Sequence, residues 1–206
     1  FLNFCKTLAL KGTSRSIYKQ RVIMLTKIFD VDSGVTDIHL INARCNVNYI
    51  ISKYMIDEPS AHETKVCSNC AMKKKFKNAT VIMKIPNGFK TIEEGLNNYV
   101  NCINSDCSDC TMGVMETSRE LNSHLFIETD AYSEFTSYAL NEYPEELNVH
   151  KNRFVLVGGI GYKNGHYIAY VKRVCGWETH NDLVRKIKRN PSTIKIHPHV
   201  LMYVKL

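Results

Sequence analysis

The spacing of apolar residues predicts helices in the first quarter of the chain. Between Arg15 and Phe29 apolar residues recur every three or four positions, as on one face of an α-helix, and Ser14 precedes them as a candidate N-cap. A second helix is predicted over about 46–55, and a polar turn around the lysines at 73–75. Residues 80–85 alternate and are rich in β-branched side chains, which predicts a strand. The apolar spacing thus changes from three or four residues to two, which marks the end of a helical part and the start of a part with both helices and strands.

The second half of the chain carries the pattern of a β-sheet. Short runs rich in β-branched and aromatic residues predict strands over 124–128, 154–160, 166–174 and 200–204. Glycines between 158 and 165 punctuate a hairpin within this region. A short helix is predicted over 91–100. Helices first, then a cysteine-containing insertion, then an antiparallel sheet together predict an α+β fold.

The composition is that of a globular protein and argues against nucleic acid or a membrane as the partner. Of the 206 residues, 44% are hydrophobic, which is enough for a packed core. The net charge of +7 comes from scattered Lys and Arg, with runs only at 73–75 and 185–189, and no nucleic-acid-binding signature accompanies them. No apolar stretch approaches the ~18–20 residues that span a bilayer, and we expect no signal peptide from the residues given. Because the chain begins at Phe1 without a methionine, we expect it to be a fragment of a longer polypeptide.

The cysteine spacing predicts a metal site. Four of the eight cysteines form two Cys-x-x-Cys pairs, Cys67 with Cys70 and Cys107 with Cys110. Each such turn presents two thiolates, and two turns supply the tetrahedron that a structural zinc requires. Disulfides and unpaired thiols are the alternatives, and the glycosylation sequon at 78–80 keeps a secreted, disulfide-bonded protein open. The paired spacing favours zinc and a reducing compartment.

The glycine-rich turn before His166 is the candidate place for chemistry. Gly165 has no side chain and would leave room for an extended peptide, and Tyr167 follows His166 in the predicted strand. Farther along, Asn181 or Asp182 can accept a hydrogen bond from an imidazole N–H and fix its tautomer. Since a lone histidine in a strand is more often structural than catalytic, the surrounding motif decides the interpretation.

That motif resembles the histidine box of the ubiquitin-specific proteases, which are papain-like cysteine isopeptidases. The matching residues are Gly165-His166-Tyr167-x-Ala-Tyr-Val, followed by Trp177 and then by the pair Asn181-Asp182. The two cysteine pairs resemble the zinc-binding "fingers" of that family. The segments 124–130, 143–149 and the terminal HVLMYVKL also resemble it, so the likeness covers about residues 64–206.

The resemblance implies one papain-like α+β domain of the ubiquitin-specific-protease type. Its helical, thumb-like part would cover 1–62, its zinc-clamped β fingers 63–115, and its palm-like antiparallel sheet with the histidine box 116–206. The family's zinc ligands carry over onto the four paired cysteines.

The resemblance also implies a role for each residue of the histidine box. His166 would be the general base and Asn181 the residue that orients it. Asp182 would be the neighbouring polar residue and an alternative orienting residue. Gly165 and Tyr167 would line the channel for the C-terminal tail of a protein modifier, and the partner would be ubiquitin or a ubiquitin-like protein. The short turn before His166, and His180 where the family often has an aromatic residue, leave SUMO open as that modifier.

The family's nucleophile has no match in this chain. Its cysteine box, Gly-Leu-x-Asn-x-Gly-Asn-Thr-Cys-Tyr, is absent. Cys5 lies in an apolar stretch that favours burial, and Cys102 lies between the two cysteine pairs without the Gly-Asn-Thr core. Two explanations follow: the nucleophile lies upstream of Phe1, or it was lost.

These explanations give two functional hypotheses. In the first, the chain is part of a thiol isopeptidase for ubiquitin or a ubiquitin-like protein, in the cytoplasm or nucleus. In the second, it is a catalytically inactive pseudo-protease that binds other proteins. A basic nucleic-acid-binding module is a third class, which steep salt dependence of binding would identify.

Overall fold

The computed structural model describes residues 2–12, 14–32, 40–83, 92–101, 104–110, 112–129, 137–181, 183–184 and 186–206. The chain forms two compact units, Phe1–Ile56 and Asp57–Leu206. Within the described ranges, no helix is long and apolar enough to cross a membrane.

Among its described residues, the first unit contains three helices, α1 (Leu2–Lys11), α2 (Arg15–Leu25) and α3 (Val47–Tyr54), and a short hairpin of β1 (Val31–Asp32) and β2 (Leu40–Ile41). Ser14 caps α2 as predicted, because its side-chain oxygen accepts a hydrogen bond from the Ile17 N–H at 3.3 Å. Helix α2 ends before the predicted Phe29. The Lys27 N–H donates to the Met24 carbonyl and the Ile28 N–H to the Leu25 carbonyl, so the last turn tightens from the i−4 to the i−3 pattern.

Among its described residues, the second unit contains one α-helix, α4 (Ile92–Val100), one 3₁₀ turn (Leu140–Glu142) and most of the strands. Its described strands, in chain order, are β3 (Ala61–Cys67), β4 (Lys73–Asn78), β5 (Val81–Met83), β6 (Ser105–Asp106), β7 (Val114–Leu121), β8 (His124–Thr129), β9 (Tyr138–Ala139), β10 (Glu146–Val149), β11 (Asn152–Lys163), β12 (His166–Arg173), β13 (Gly176–His180), β14 (Lys188–Asn190), β15 (Lys195–Ile196) and β16 (Pro198–Lys205).

The larger sheet of this unit carries the histidine hairpin. Its strands lie in the order β14-β13-β12-β11-β16-β8-β5, with β10 paired to β11. Neighbours are antiparallel, as predicted, except that β5 runs parallel to β8. One face of the sheet forms the core. Leu125 and Ile127 lie opposite Tyr203 and Leu201 and are fully buried, and helix α4 packs two buried side chains into the same cluster. Trp177, on β13, is buried in this cluster too.

The smaller sheet, ordered β4-β3-β7-β6, forms a separate antiparallel extension that we call the finger sheet. Strand β4 lies where the sequence indicated a polar turn around Lys73–Lys75. This departure has a physical reason: β4 is an edge strand, and lysines on an exposed edge discourage pairing with other chains while the strand keeps its backbone hydrogen bonds to β3.

A buried ion pair fixes the base of the finger sheet. The Arg119 Nε donates to the Glu63 carboxylate at 2.5 Å, and the two side chains are 16% and 11% exposed. A second Arg119 nitrogen donates to the Tyr99 carbonyl at 2.6 Å, and the guanidinium lies 4.4 Å from the Tyr99 ring centre. Burial acts to raise the pKa of Glu63, but the hydrogen bond and charge of Arg119, helped by Lys65, outweigh it and lower that pKa. The pair therefore ties β3 and β7 to the end of α4.

We expect Arg119→Ala to destabilise the protein by about 3–5 kcal/mol, because it leaves the Glu63 carboxylate buried without its partner. The control is Arg153→Ala, which removes an ion pair with Glu146 whose side chains are 53% and 45% exposed; this change should cost much less, because water screens an exposed ion pair. Urea unfolding of both variants measures the difference. Because the pKa of Glu63 is lowered in the folded state, the Arg119 contribution should shrink as the pH falls through the acidic range. Equal losses in the two variants would contradict this assignment.

Candidate functional site

A two-residue turn places His166 at the start of β12. Asn164 and Gly165 connect β11 to β12 with φ of 51° and 77°, and Lys163 pairs with His166 across the hairpin. Positive φ at both central positions is the mark of a type I′ turn, which matches the twist of the flanking strands. A Cβ at Gly165 would meet no atom within 4 Å. Glycine is therefore favoured at this position by the positive φ and not by lack of space.

The structure brings two of the predicted site residues together. The Nε2 atom of His166 lies 2.9 Å from the Oδ1 atom of Asn181, and both residues are half-buried. Asn181 directly follows β13, which pairs with β12 through Ala169 and His180. Two neighbouring strands of one sheet thus position the pair. Asp182, the alternative orienting residue, lies outside the described residues.

The turn after β13 determines which way the Asn181 side chain points. The backbone N–H of Leu183 donates to Asn181 Oδ1 at 3.0 Å, and the N–H of Val184 donates to the Asn181 carbonyl at 3.0 Å. Because a backbone N–H can only donate, the atom that it meets must be the amide oxygen. The same oxygen faces His166, so the Nε2 of His166 must be the donor. In a neutral imidazole this tautomer leaves the lone pair on Nδ1, the nitrogen that can accept a proton.

Tyr167 belongs to an aromatic stack on the other face of the sheet. Its ring lies 4.9 Å from that of Tyr162 and stacks on the His199 ring at 5.3 Å with an interplanar angle of 14°. Burial lowers the pKa of His199, while the Glu128 carboxylate acts weakly in the opposite direction. His199 did not stand out in the sequence. Only its position on β16, two strands from β12, brings it beneath Tyr167.

The four paired cysteines cluster at the end of the finger sheet as a candidate zinc site. Their sulfur atoms all lie within 4.8 Å of one another. The Cys67 and Cys110 sulfurs are 3.5 Å apart, and those of Cys70 and Cys107 are 3.9 Å apart. Four thiolates at the usual Zn–S distance of ~2.3 Å form a tetrahedron with edges of about 3.8 Å. A disulfide needs about 2.05 Å, so these separations fit zinc and not disulfides.

Backbone groups around the cluster are arranged to stabilise thiolates. The N–H groups of Cys70 and Asn69 each lie 3.4 Å from the Cys67 sulfur, and in that order they lower the pKa of Cys67 to about 6. The Asn69 side-chain nitrogen lies 3.7 Å from the Cys110 sulfur. Such outer contacts orient metal ligands and are part of the site. Cys67 and Cys107 are buried, Cys110 is half-buried and Cys70 is exposed.

Gly113 packs against this site without room for a side chain. A Cβ at this position would lie 2.3 Å from the Cys67 sulfur and 2.8 Å from the Cys110 sulfur. We therefore expect Gly113→Ala to weaken zinc binding by about 10–100-fold, the range for lost supporting contacts. Competition with a chromogenic chelator measures this. The control is Gly165→Ala, which strains a hairpin turn of the large sheet but does not touch the cysteine cluster. Unchanged zinc affinity in Gly113→Ala would contradict the assignment.

The remaining cysteines are poorly suited to act as the thiol beside His166. Burial raises the pKa of both Cys5 and Cys45, which disfavours the thiolate. Cys175 is exposed in the turn after β12, at the opposite end of that strand from His166. Strand β12 has 8 residues and so spans roughly 25 Å at about 3.3 Å per residue. Cys102 lies outside the described residues.

Asn78, the acceptor of the sequon, is part of the packing. Its side-chain nitrogen donates to the Tyr99 hydroxyl at 2.8 Å. A glycan is attached through that same nitrogen, so glycosylation would displace this hydrogen bond. The geometry thus removes the support that the sequon gave to the secreted alternative.

Comparison with known proteins supports a fold and leaves the activity open. No protein-family model matches the chain. The 120.7 kDa protein in the NOF-FB transposable element of Drosophila melanogaster is 26% identical to this chain. The alignment is 231 residues long with its gaps and covers 99% of this chain and 21% of that protein.

Two solved structures of the SAGA DUB module are similar to this chain. The yeast module with a mutant Sgf73 has a TM-score of 0.50 at 14% identity, over 74% of this chain and 40% of that one. The module of a Ubp8 variant with Sgf11, Sus1 and Sgf73, bound to monoubiquitin, has a TM-score of 0.48 at 17% identity, over 74% of this chain and 42% of that one. The chain thus spans about a fifth of the curated relative and about two fifths of these structures. It has a mixed α+β fold with antiparallel sheets and a four-cysteine, zinc-like site, and the fold is similar to that of a chain in the yeast SAGA DUB module.

Proposed function

We propose that this chain is the histidine-bearing part of a thiol isopeptidase that acts on ubiquitin or a ubiquitin-like protein such as SUMO. The observation that carries the proposal is the contact between His166 and Asn181. The Leu183 N–H identifies the Asn181 atom in this contact as the oxygen, so His166 is the donor. The likeness in fold to the SAGA DUB module supports it. In this proposal residues 1–62, 63–115 and 116–206 are the thumb-like, finger and palm-like parts of one domain. Four zinc-binding thiolates suit the reducing cytoplasm or nucleus.

The chemistry follows from the tautomer of His166. Its Nδ1 takes the proton of a cysteine thiol, and the thiolate attacks the carbonyl carbon of the isopeptide bond. Asn181 accepts the Nε2–H throughout and holds the ring as it becomes an imidazolium. The imidazolium then protonates the departing lysine amine, which leaves a thioester, and water assisted by His166 releases the modifier.

The nucleophilic cysteine, in this proposal, lies in a segment that precedes Phe1. Four of the described cysteines belong to the zinc cluster, Cys5 and Cys45 have raised pKa values, and Cys175 lies at the far end of β12. A thiol beside His166 is best supplied from a further segment.

The modifier's tail would enter beside the hairpin turn. Space is open around the Cα of Gly165 on the side where a Cβ would point, which supports an extended peptide passing there. Tyr167, which contacts the Tyr162 ring and stacks on His199, would support that channel from the other face of the sheet. Asp182 would be the polar neighbour that assists Asn181.

Zinc would act as a structural clamp. Four thiolates leave a tetrahedral ion no open position for water or substrate, so it would contribute no step of the reaction. The four cysteines join the loop after β3 to the loops before β7, which would hold the finger strands together.

The test is hydrolysis of ubiquitin and of SUMO, each with a fluorogenic amine on its C-terminal carboxyl, by the full-length protein. Release of the fluorophore from either modifier is expected, and the faster substrate identifies the modifier. Absence of release from both, by a folded and zinc-loaded protein, would overturn the enzyme reading.

A pseudo-protease that binds a partner through the same surface is the second candidate. The positions of the described cysteines favour it, because none of them is arranged as a thiolate for His166. It predicts binding of ubiquitin or SUMO without turnover, and no reaction with a modifier that carries a thiol-reactive C-terminus.

A further inference from the structure

The loop that follows Asn181 exposes an unusual concentration of large aliphatic side chains. Leu183, Val184 and Ile187 are 75%, 57% and 60% exposed. Exposed aliphatic residues that occur singly are ordinary, but three within five positions at the surface mark a contact site for another molecule. We call Leu183, Val184, Lys186 and Ile187, between β13 and β14, the Leu183 loop.

Three positive charges lie in or directly after this loop, and the Glu178 carboxylate across the strands from Arg189 is already paired with Arg173. Lys186, Lys188 and Arg189 are exposed, and no ion pair involves them among the described residues. Strand β14 lies at the edge of the large sheet, so none of the described strands pairs with its outer side. An occupant of this surface should therefore combine carboxylates with apolar side chains.

The same turn connects this surface to the candidate site. The N–H groups of Leu183 and Val184 hold the side chain and the carbonyl of Asn181, and Asn181 meets His166. A molecule bound on the Leu183 and Val184 side chains would lie next to the Asn181 turn. This continuity favours a substrate protein over a lipid surface, because a substrate must be held beside the bond that is cut.

We propose that the Leu183 loop, with Lys188 and Arg189, binds an acidic segment with apolar residues in the protein to which the modifier is attached. This inference rests on the proposed function and deepens it. The modifier's tail would bind at the hairpin turn, and the protein that carries the modifier would bind at the Leu183 loop. Preference among modified proteins would thus follow their charge and apolar residues near the linkage.

The first experiment measures binding without requiring turnover. A fluorescein-labelled peptide of Asp, Glu and Leu is titrated into the full-length protein, and a Lys, Arg and Leu peptide serves as the comparison. Lys186→Glu/Lys188→Glu should weaken acidic-peptide binding by about fivefold or more at low salt, where surface charges are little screened. Its matched control is Lys73→Glu/Lys75→Glu, which makes the same charge change on exposed strand β4 and should shift binding less than about twofold.

A second variant tests the apolar contribution at constant charge. Leu183→Ser/Val184→Ser keeps the backbone N–H groups that hold Asn181 and should weaken acidic-peptide binding by about tenfold or more. Val174→Ser, at a fully exposed position in the turn between β12 and β13, is the control and should have no effect. His166→Ala should bind the peptide like the wild type, because docking does not use the imidazole.

The outcomes separate this inference from the proposed function. Loop-dependent binding of the acidic peptide by a protein without turnover would retain the docking surface and reject the enzyme. Turnover of small fluorogenic substrates, with loop variants that bind the acidic peptide like their controls, would retain the enzyme and overturn the docking surface. Loop-dependent binding to phosphatidylserine vesicles, without binding to the peptide, would also overturn it.

Discussion

His166→Ala should reduce hydrolysis of the modifier's C-terminal bond by the full-length protein by about 10²–10⁴-fold, the range expected for loss of a general acid–base group. The reason is that no other group would take the thiol proton and return it to the leaving amine. The control is His62→Ala, an exposed histidine on the finger sheet, which should change kcat/KM less than about twofold. Equal activity in the two variants would contradict the role of His166.

Asn181 variants test the geometry behind that role. Asn181→Ala should cost about 10–100-fold, because a hydrogen bond to a charged partner is worth about 1.5–3 kcal/mol. Asn181→Asp should lose less, since a carboxylate can accept both the Leu183 N–H and the His166 Nε2–H. If Asn181→Asp is as damaged as Asn181→Ala, the acceptor function assigned to this side chain is wrong.

Zinc removal is the second change with a large expected effect. We expect one zinc ion per chain. The Cys67→Ser variant should not retain it, and its midpoint of thermal unfolding should fall by more than about 10 °C. The finger sheet has little apolar burial around the cluster beyond Met115, with Met72 partly buried, so the metal should supply much of its local stability. Metal analysis of the purified protein and calorimetry measure both effects.

Cys175→Ser is the matched control for the zinc variant. Cys175 is exposed and lies outside the cluster, so this change should keep the zinc and the unfolding midpoint. A folded, metal-free protein with the same midpoint as the wild type would contradict the structural role of zinc.

The histidine hairpin could be predicted from the sequence because its signals lie close together in the chain. Asn164-Gly165 between two apolar runs demands a turn with positive φ, and such a turn places the next residue, His166, at the start of a strand. The cysteine spacing likewise encodes the metal cluster, because each Cys-x-x-Cys turn is a complete local unit. These features depend on residues that are close in the chain.

Features that depend on residues far apart in the chain could not be predicted from the sequence. Buried Glu63 looks like a surface residue until Arg119, 56 positions later, pairs with it. The lysines of β4 indicated a turn because their edge position becomes visible only in the assembled sheet. Asn181 was a candidate, but the polarity of its amide follows from the Leu183 N–H, which only the folded turn provides.

The most direct test of the central claim is reaction of the full-length, zinc-loaded protein with ubiquitin or SUMO that carries a thiol-reactive group at its C-terminus. Mass spectrometry then identifies the labelled residue. A thiol activated by His166 predicts a single labelled cysteine outside Cys67, Cys70, Cys107 and Cys110, and loss of labelling in His166→Ala. No labelling of the folded protein, or labelling that is equal in His166→Ala, would contradict the claim that His166 and Asn181 serve a catalytic thiol.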